Sequence, residues 1–114
     1  MADLLDDSGR ILQALRRACA GATVTTAWPR ESPKAPVVLV TLAGDSPADY
    51  RDDQRYLTEP EYYARVFAAR ADDMRRTCEA VHTAMEGLGY ALTFRWEEPS
   101  EGWRQTALRY KIYL

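Results

Sequence analysis

Cys78 and His82 are the residues whose types and spacing come closest to a catalytic pair. They lie one turn apart on a predicted helix, where a thiol and an imidazole could act as nucleophile and base. The same helix places Cys78 on its apolar stripe, however. Because apolar surroundings raise the pKa of a thiol and leave it inert, we expect a structural cysteine and no nucleophile.

Metal ligands are equally sparse in the chain. It contains one His and two Cys, and Cys19 and Cys78 are far apart in sequence. A closed zinc site needs four ligands, so we expect no metal and no other cofactor. Both cysteines fall at apolar positions of predicted helices, which favours free thiols over a disulfide.

Paired carboxylates raise the question of acid–base catalysis. Neighbouring acids occur at Asp6-Asp7, Asp52-Asp53, Asp72-Asp73 and Glu97-Glu98. Neighbours in sequence rarely face one another, and each pair lies at a predicted helix start or in a loop, so solvated charges are favoured. The sequence also has no GxxxxGK[ST], GxGxxG or GxSxG motif, so phosphate cradling and a nucleophile elbow lack support. We therefore predict that the protein is not an enzyme.

The composition is that of one soluble domain spanning residues 1–114, with 46% hydrophobic and 28% charged residues. Fifteen Lys and Arg against seventeen Asp and Glu give a net charge of −2, which is not the basic footprint of a nucleic-acid binder. No apolar run approaches the length of a membrane span. The acidic start lacks the features of a signal peptide, so we expect the chain to stay in the cytoplasm.

Hydrophobic periodicity predicts helices and strands in the order α-β-β-β-α-β-β. Helices are predicted over residues 2–20 and from Asp72 to the glycines at 87 and 89, and strands over 23–28, 36–42, 61–69, 90–97 and 103–113. Strand 23–28 is expected at an edge of the sheet and strand 61–69 in its interior. Pro99–Gly102 is expected to form a turn.

Each predicted element has a distinct apolar side. The first helix has a stripe of Leu5, Leu12, Leu15 and Cys19, with Ile11 and Ala18 beside it; the second has Met74, Cys78, Val81, Met85 and Leu88. Tyr90, Leu92, Phe94 and Trp96 are predicted to share one sheet face. The last strand sends Leu108, Tyr110 and Ile112 to one side and Gln105, Arg109 and Lys111 to the other. These patterns predict an α+β two-layer sandwich, a mixed, mainly antiparallel sheet with both helices on one face.

The polar connection at residues 45–57 is long for such a small domain. Connections of this length are usually functional or disordered. Tyr50, Arg51, Arg55 and Tyr56 give it the Arg and Tyr content of an interface anchor. A mobile, solvated loop remains the alternative.

The order of these motifs resembles that of the tail terminator, or tail completion, family of long-tailed bacteriophages. The resemblance is carried by "AWP", "SPKAPVVLVTLAGD", "YRDDQRYL", "EYYARVFAARADDMRRTCEAVHTAMEGLGY" and "LTFRWEEPSEGWRQTALRYKIYL". It spans nearly the full length and rests on the order of elements, without a chemically unique signature. The charged segment from Arg51 to Arg55 and the tryptophans at positions 28, 96 and 103 depart from the family pattern.

This resemblance implies a virion protein that forms a homo-oligomeric ring, commonly a hexamer, on the last ring of the tail tube and contacts a neck, or head-completion, protein above. Tyr50, Arg51, Arg55 and Tyr56 would then contact the neighbouring subunit or the tube. The genome would pass through the ring without tight binding. Two other classes stay open: a non-viral dimeric module that binds a small molecule or a protein, and an enzyme whose active site is shared between subunits.

Overall fold

The computed structural model describes residues 8–29, 35–43, 61–100 and 103–112. Within these residues the elements follow the predicted order: α1 (Ser8–Ala18), β1 (Thr23–Thr25), β2 (Val37–Ala43), β3 (Glu61–Ala68), α2 (Ala71–Gly87), β4 (Tyr90–Ser100) and β5 (Trp103–Ile112). The fold is α+β, as predicted. The part of the first helix predicted before Ser8 lies outside the described residues.

The strands form an open mixed sheet in the order β1-β2-β3-β5-β4. β1 pairs with β2 in parallel, and the other three pairings are antiparallel. The predictions of β1 at an edge and of β3 in the interior are therefore confirmed. β1 is shorter than predicted, because the chain leaves the strand after Thr25 and carries Trp28 over the sheet.

Both helices pack on the same face of the sheet, where alternate residues of β2 and β3 meet them. The buried side of α1 consists of Ile11 and Leu15, and the buried Cys19, just after the helix, continues the interval of four residues. The predicted stripe was slightly rotated, since it included Leu12 and put Ile11 beside it. Ile11 is fully buried, whereas Leu12 is only partly buried. Leu15 and Cys19 are buried as predicted.

The buried side of α2 agrees with the prediction. Met74, Val81 and Met85 are buried, and Cys78 and Leu88 pack partly buried against the same core. Asp72 and Asp73 lie in the first turn, where negative charge offsets the helix dipole. Gly89, with a φ of +94°, provides the left-handed residue that follows the helix.

The prediction that four large side chains of β4 share one face is wrong. A register shift between Leu92 and Phe94 leaves Thr93 outside the β4–β5 register, so Leu92 pairs with Tyr110 and Phe94 with Arg109. The Thr93 hydroxyl still donates to the carbonyl oxygen of Arg109. One extra residue in a strand moves every following side chain to the other face. Tyr90 and Leu92 consequently lie on the helical side, and Phe94 and Trp96 on the opposite side.

The connection between β4 and β5 is shorter than the predicted turn over Pro99–Gly102. Pro99 and Ser100 belong to β4 and pair with Arg104 and Trp103. The remaining two positions, 101 and 102, lie outside the described residues. None of the described helices is long and apolar enough to cross a membrane.

Candidate interaction surfaces

We call the side of the sheet opposite the helices the open face. Strand alternation places there Leu39 and Thr41 of β2, Glu61, Tyr63, Arg65 and Phe67 of β3, Phe94 and Trp96 of β4, and Gln105, Ala107 and Arg109 of β5. Trp28, beyond β1, packs on the same side. No described helix covers this face, although Leu39, Phe67 and Ala107 are buried in it.

One aromatic cluster lies over β3 and the start of β5. The ring of Phe67 is 5.8 Å from that of Trp28 in an edge-on arrangement and 5.2 Å from that of Trp103. Phe67 is buried, but 56% of Trp28 is exposed. Trp28 is therefore the outermost ring of this cluster.

A second aromatic cluster joins β3 to β4. Tyr63 meets Trp96 edge-on at 5.5 Å, and Trp96 lies 5.2 Å from Phe94. Phe94 is 58% exposed. The bulge in β4 is what brings Phe94 and Trp96 to this side. All three tryptophans of the chain, Trp28, Trp96 and Trp103, consequently belong to the open face.

Arg65 lies between the two clusters. Its guanidinium carbon is 5.1 Å from the centre of the Trp28 ring and 4.6 Å from that of Tyr63, distances at which a cation is attracted to an aromatic face. Nη1 donates a hydrogen bond to the hydroxyl of Thr41 at 3.3 Å. The buried Nε has no hydrogen-bond acceptor among the described residues, and no described carboxylate pairs with this guanidinium.

Arg109, on the same face, has its charge balanced by a carboxylate within the chain. Its Nε and Nη2 donate to the two carboxylate oxygens of Glu61, each at 3.0 Å. This two-pronged geometry is the strong form of an Arg–carboxylate contact. Arg109 also lies 5.6 Å from the Tyr63 ring. Arg109 thus has an ion pair within the chain, whereas Arg65 has none among the described residues.

Gln105 is a second polar group on this face with an unmet hydrogen-bonding capacity. It lies opposite Phe67 in the β3–β5 register and is 7% exposed. Its buried Nε2 donates to no described residue. A buried amide without a partner costs free energy in the isolated chain.

The helical side carries a groove between α2 and the outer part of the sheet. Its volume is about 860 Å³. Its apolar lining includes Met74 and Cys78 of α2, Leu92 of β4 and Leu108 of β5. Charged and polar side chains surround this lining: Arg75, Glu79, His82, Arg95, Glu97 and Arg104. The groove is of a size that holds a small molecule or a large partner side chain.

Cys78 and His82 both line this groove, but the structure does not join them as nucleophile and base. Burial raises the pKa of the Cys78 thiol to about 11, and its Sγ contacts the sulfur of Met74 at 3.6 Å. His82 Nδ1 lies 3.0 Å from the hydroxyl of the buried Tyr110, and Nε2 lies 3.4 Å from Glu86. Cys78 is thus a partly buried thiol with a raised pKa, as its position on the apolar stripe predicted.

The predicted interface residues Tyr50, Arg51, Arg55 and Tyr56 lie outside the described residues. The open face was not predicted as a surface. The sequence does show that Tyr63, Arg65 and Phe67 alternate with the core residues of β3. Which residues of β5 lie beside them depends on the strand pairing, which the sequence does not show.

Comparison with known proteins assigns no family to the chain. No protein-family model matches the chain, and no curated protein is significantly similar to it.

Proposed function

We propose that this protein is a structural assembly subunit that forms a homo-oligomeric ring, as in the tail terminators of bacteriophages. The observation that carries the oligomer is the open face. It combines two aromatic clusters with two arginines, and Trp28 and Phe94 are each more than half exposed. Trp, Tyr and Arg are the residues that anchor protein interfaces.

The assignment to a phage tail is supported by the order of elements that the chain shares with that family. In this role the ring caps the tail tube, contacts a neck protein and lets DNA pass through its centre. The mature location is the virion, and no chemical step is catalysed. The net charge of −2 suits a channel through which phosphates must slide.

The proposal is tested by measuring the mass of the native assembly over a wide range of protein concentrations. We expect a closed ring, with a hexamer as the leading expectation. Because all three tryptophans lie on the open face, assembly through it should shift their fluorescence emission to shorter wavelengths.

Two matched variants locate the interface. Trp28→Ala and Phe94→Ala should weaken assembly, whereas Thr83→Ala, on the exposed side of α2, should assemble as the parent does. A parent chain that stays monomeric at every concentration would refute the proposed function. A ring that tolerates both aromatic substitutions would place its contacts elsewhere.

The groove supports a second candidate function, a dimeric module that binds a small molecule between helix and sheet. Its volume of about 860 Å³ and its apolar lining with a polar rim are typical of ligand pockets. A dimeric parent whose melting temperature rises with a small apolar compound would favour this candidate. A ring whose assembly is unaffected by such compounds would favour the first.

A further inference from the structure

The floor of the groove is an aliphatic surface that the helices leave partly uncovered. β4 is the strand at the edge of the sheet. Leu92, on its helical side, is 39% exposed, although Tyr110, its partner on β5, is buried. Across the groove lie Met74 and Cys78 of α2, whose sulfur atoms are 3.6 Å apart. An unbranched apolar chain would cover this surface, because thioether and leucine side chains adapt to such a shape.

The charged side chains that line the groove carry an excess of positive charge. Three arginines stand against two glutamates: Arg75, Arg95, Arg104, Glu79 and Glu97. Arg95 lies 4.0 Å from Glu97, so these two charges offset one another. Counting all five groups leaves one positive charge when the neighbouring imidazole is neutral. The lining therefore complements a ligand with a single negative charge.

Arg104 is the cation of this lining that lacks a carboxylate partner. It is exposed and forms no ion pair within the described part of the chain. Arg75 has only Asp72, at 3.8 Å, and both of these side chains are at least 70% exposed. An ion pair of this kind is weak and easily exchanged for another partner.

Strand register places both arginines at the same end of the groove. Arg104 pairs with Ala68, the last residue of β3, and α2 begins shortly afterwards. Arg75 lies at the second turn of α2, so it is on the same side. His82 marks the other end, because it contacts Tyr110 beside the exposed leucine of β4. The apolar floor thus extends from a positively charged end towards His82.

We propose that the groove binds a monocarboxylate with an unbranched apolar chain. Arg104 and Arg75 donate to the carboxylate oxygens, a contact that suits the planar guanidinium group. The chain lies over Met74, Cys78 and Leu92. A carboxylate matches the single excess charge of the lining, whereas a phosphate monoester carries about −1.5 to −2 at neutral pH. This inference rests on the second candidate function, the small-molecule module, and names its ligand; it does not depend on ring formation.

Calorimetric titration with dodecanoate, below the concentration at which it forms micelles, tests the ligand class. Dodecanol and dodecylamine have the same chain without the negative charge, and they should bind at least about tenfold more weakly. Added salt should weaken the binding of dodecanoate, because it screens exposed guanidinium groups. Equal affinity for the three compounds would overturn the carboxylate assignment and leave an unselective apolar pocket. Absence of binding would overturn this inference and the second candidate together, whereas the native mass of the same samples tests the ring separately.

Two substitutions test where the carboxylate lies. Arg104→Gln and Arg75→Gln should each raise the dissociation constant for dodecanoate about threefold to fivefold, the effect of one exposed charge, and leave that for dodecanol unchanged. Arg17→Gln is the matched control, because Arg17 is exposed on α1 and does not line the groove. Arginine variants that bind dodecanoate as tightly as the parent would overturn this placement.

Alkylation of the two cysteines tests where the chain lies. Cys78 lines the groove, whereas the buried Cys19 does not. Saturating dodecanoate should slow the alkylation of Cys78 more than that of Cys19, as measured by the mass of each peptide. Cys19 reports any general stabilisation that a ligand gives to the fold. Equal slowing at both thiols, or none at Cys78, would overturn binding in the groove.

Discussion

Replacing Gln105 by Met should stabilise the isolated chain, which is unusual for a substitution at a buried position. Gln105 is 7% exposed, and its Nε2 donates to no described residue. In water the amide nitrogen donates hydrogen bonds to solvent, so burying it without an acceptor costs about 1–3 kcal/mol. Met has similar length and an unbranched, adaptable side chain, and so fills nearly the same volume with no polar group to desolvate.

The neighbours of Gln105 set the size of the expected gain. It faces Phe67 across the β3–β5 register and is flanked on β5 by Trp103 and Ala107 on the same side, so a thioether would contact apolar and aromatic surfaces. Part of the gain is lost to imperfect packing and to the rotamer entropy of Met. We expect the free energy of unfolding to rise by about 1–2 kcal/mol, which raises the melting temperature by several degrees for a domain of this size.

Urea denaturation at protein concentrations below assembly measures this difference without the contribution of subunit association. The midpoint should rise at an unchanged m-value. Gln13→Met is the matched control, because Gln13 is exposed on α1 and surface substitutions usually change stability by less than about 0.5 kcal/mol. A Gln105→Met variant that is equal to or less stable than the parent would show that this amide is satisfied, and the reasoning would be refuted.

Four further predictions concern other parts of the chain. Tyr110→Phe should lower the free energy of unfolding by about 0.5–1.5 kcal/mol in a denaturation series, since it removes the hydroxyl contact to His82; an unchanged value would mean that the contact contributes nothing. Burial raises the pKa of Cys78 from 9.0 to about 11 and also raises that of Cys19. Because the unfolded chain loses the Cys78 proton first, the contribution of this thiol to the free energy of unfolding should be constant well below pH 9 and fall as the pH rises towards 11. Both thiols should react with alkylating agents more slowly in the folded chain than in urea. Duplex DNA should bind more weakly than the 10⁻⁴–10⁻⁶ M typical of non-specific binders at physiological salt, and a sub-micromolar dissociation constant in a filter assay would contradict a channel role. Shortening residues 45–57 to a tight turn should leave the melting temperature nearly unchanged, because closure entropy varies slowly with loop length. The same change should weaken ring formation. A shortened variant that assembles normally would show that this segment only connects two strands.

The order of elements was predictable from the sequence because helices and strands each impose their own period on the apolar residues. The four- and three-residue spacing of Met74, Cys78, Val81 and Met85 is local information, and α2 follows it. The alternation along β5 is equally local, and Leu108 and Tyr110 are buried as it requires. These elements depend on side-chain spacing within one segment.

Features set by pairing between distant strands were not predictable in this way. The bulge at Thr93 has no distinctive residue in the sequence, yet it moves Phe94 and Trp96 to the open face. The contact between Glu61 and Arg109 depends on the β3–β5 register, which joins residues 48 positions apart. Trp28 was expected to end a strand, and only the fold shows that it packs over Phe67. The candidate surface therefore arises from register and from a bulge, and neither is encoded in the spacing within one strand.

The two arginines of the open face differ in whether a carboxylate of the same chain balances their charge. Arg109 has a complete two-oxygen contact with Glu61, so its charge is balanced within the chain. Arg65 is held by two aromatic rings and one hydroxyl, and cation–π contacts of this kind contribute about 0.5–1 kcal/mol at exposed sites and more when desolvated. Such contacts orient a guanidinium but leave its capacity for a carboxylate unused. A partner that supplies the carboxylate meets a group already fixed in position, so little side-chain entropy is lost on binding. Preorganisation of Arg65 by Trp28 and Tyr63 is thus more useful to an interface than to the fold, and it supports the proposal that the open face serves in assembly.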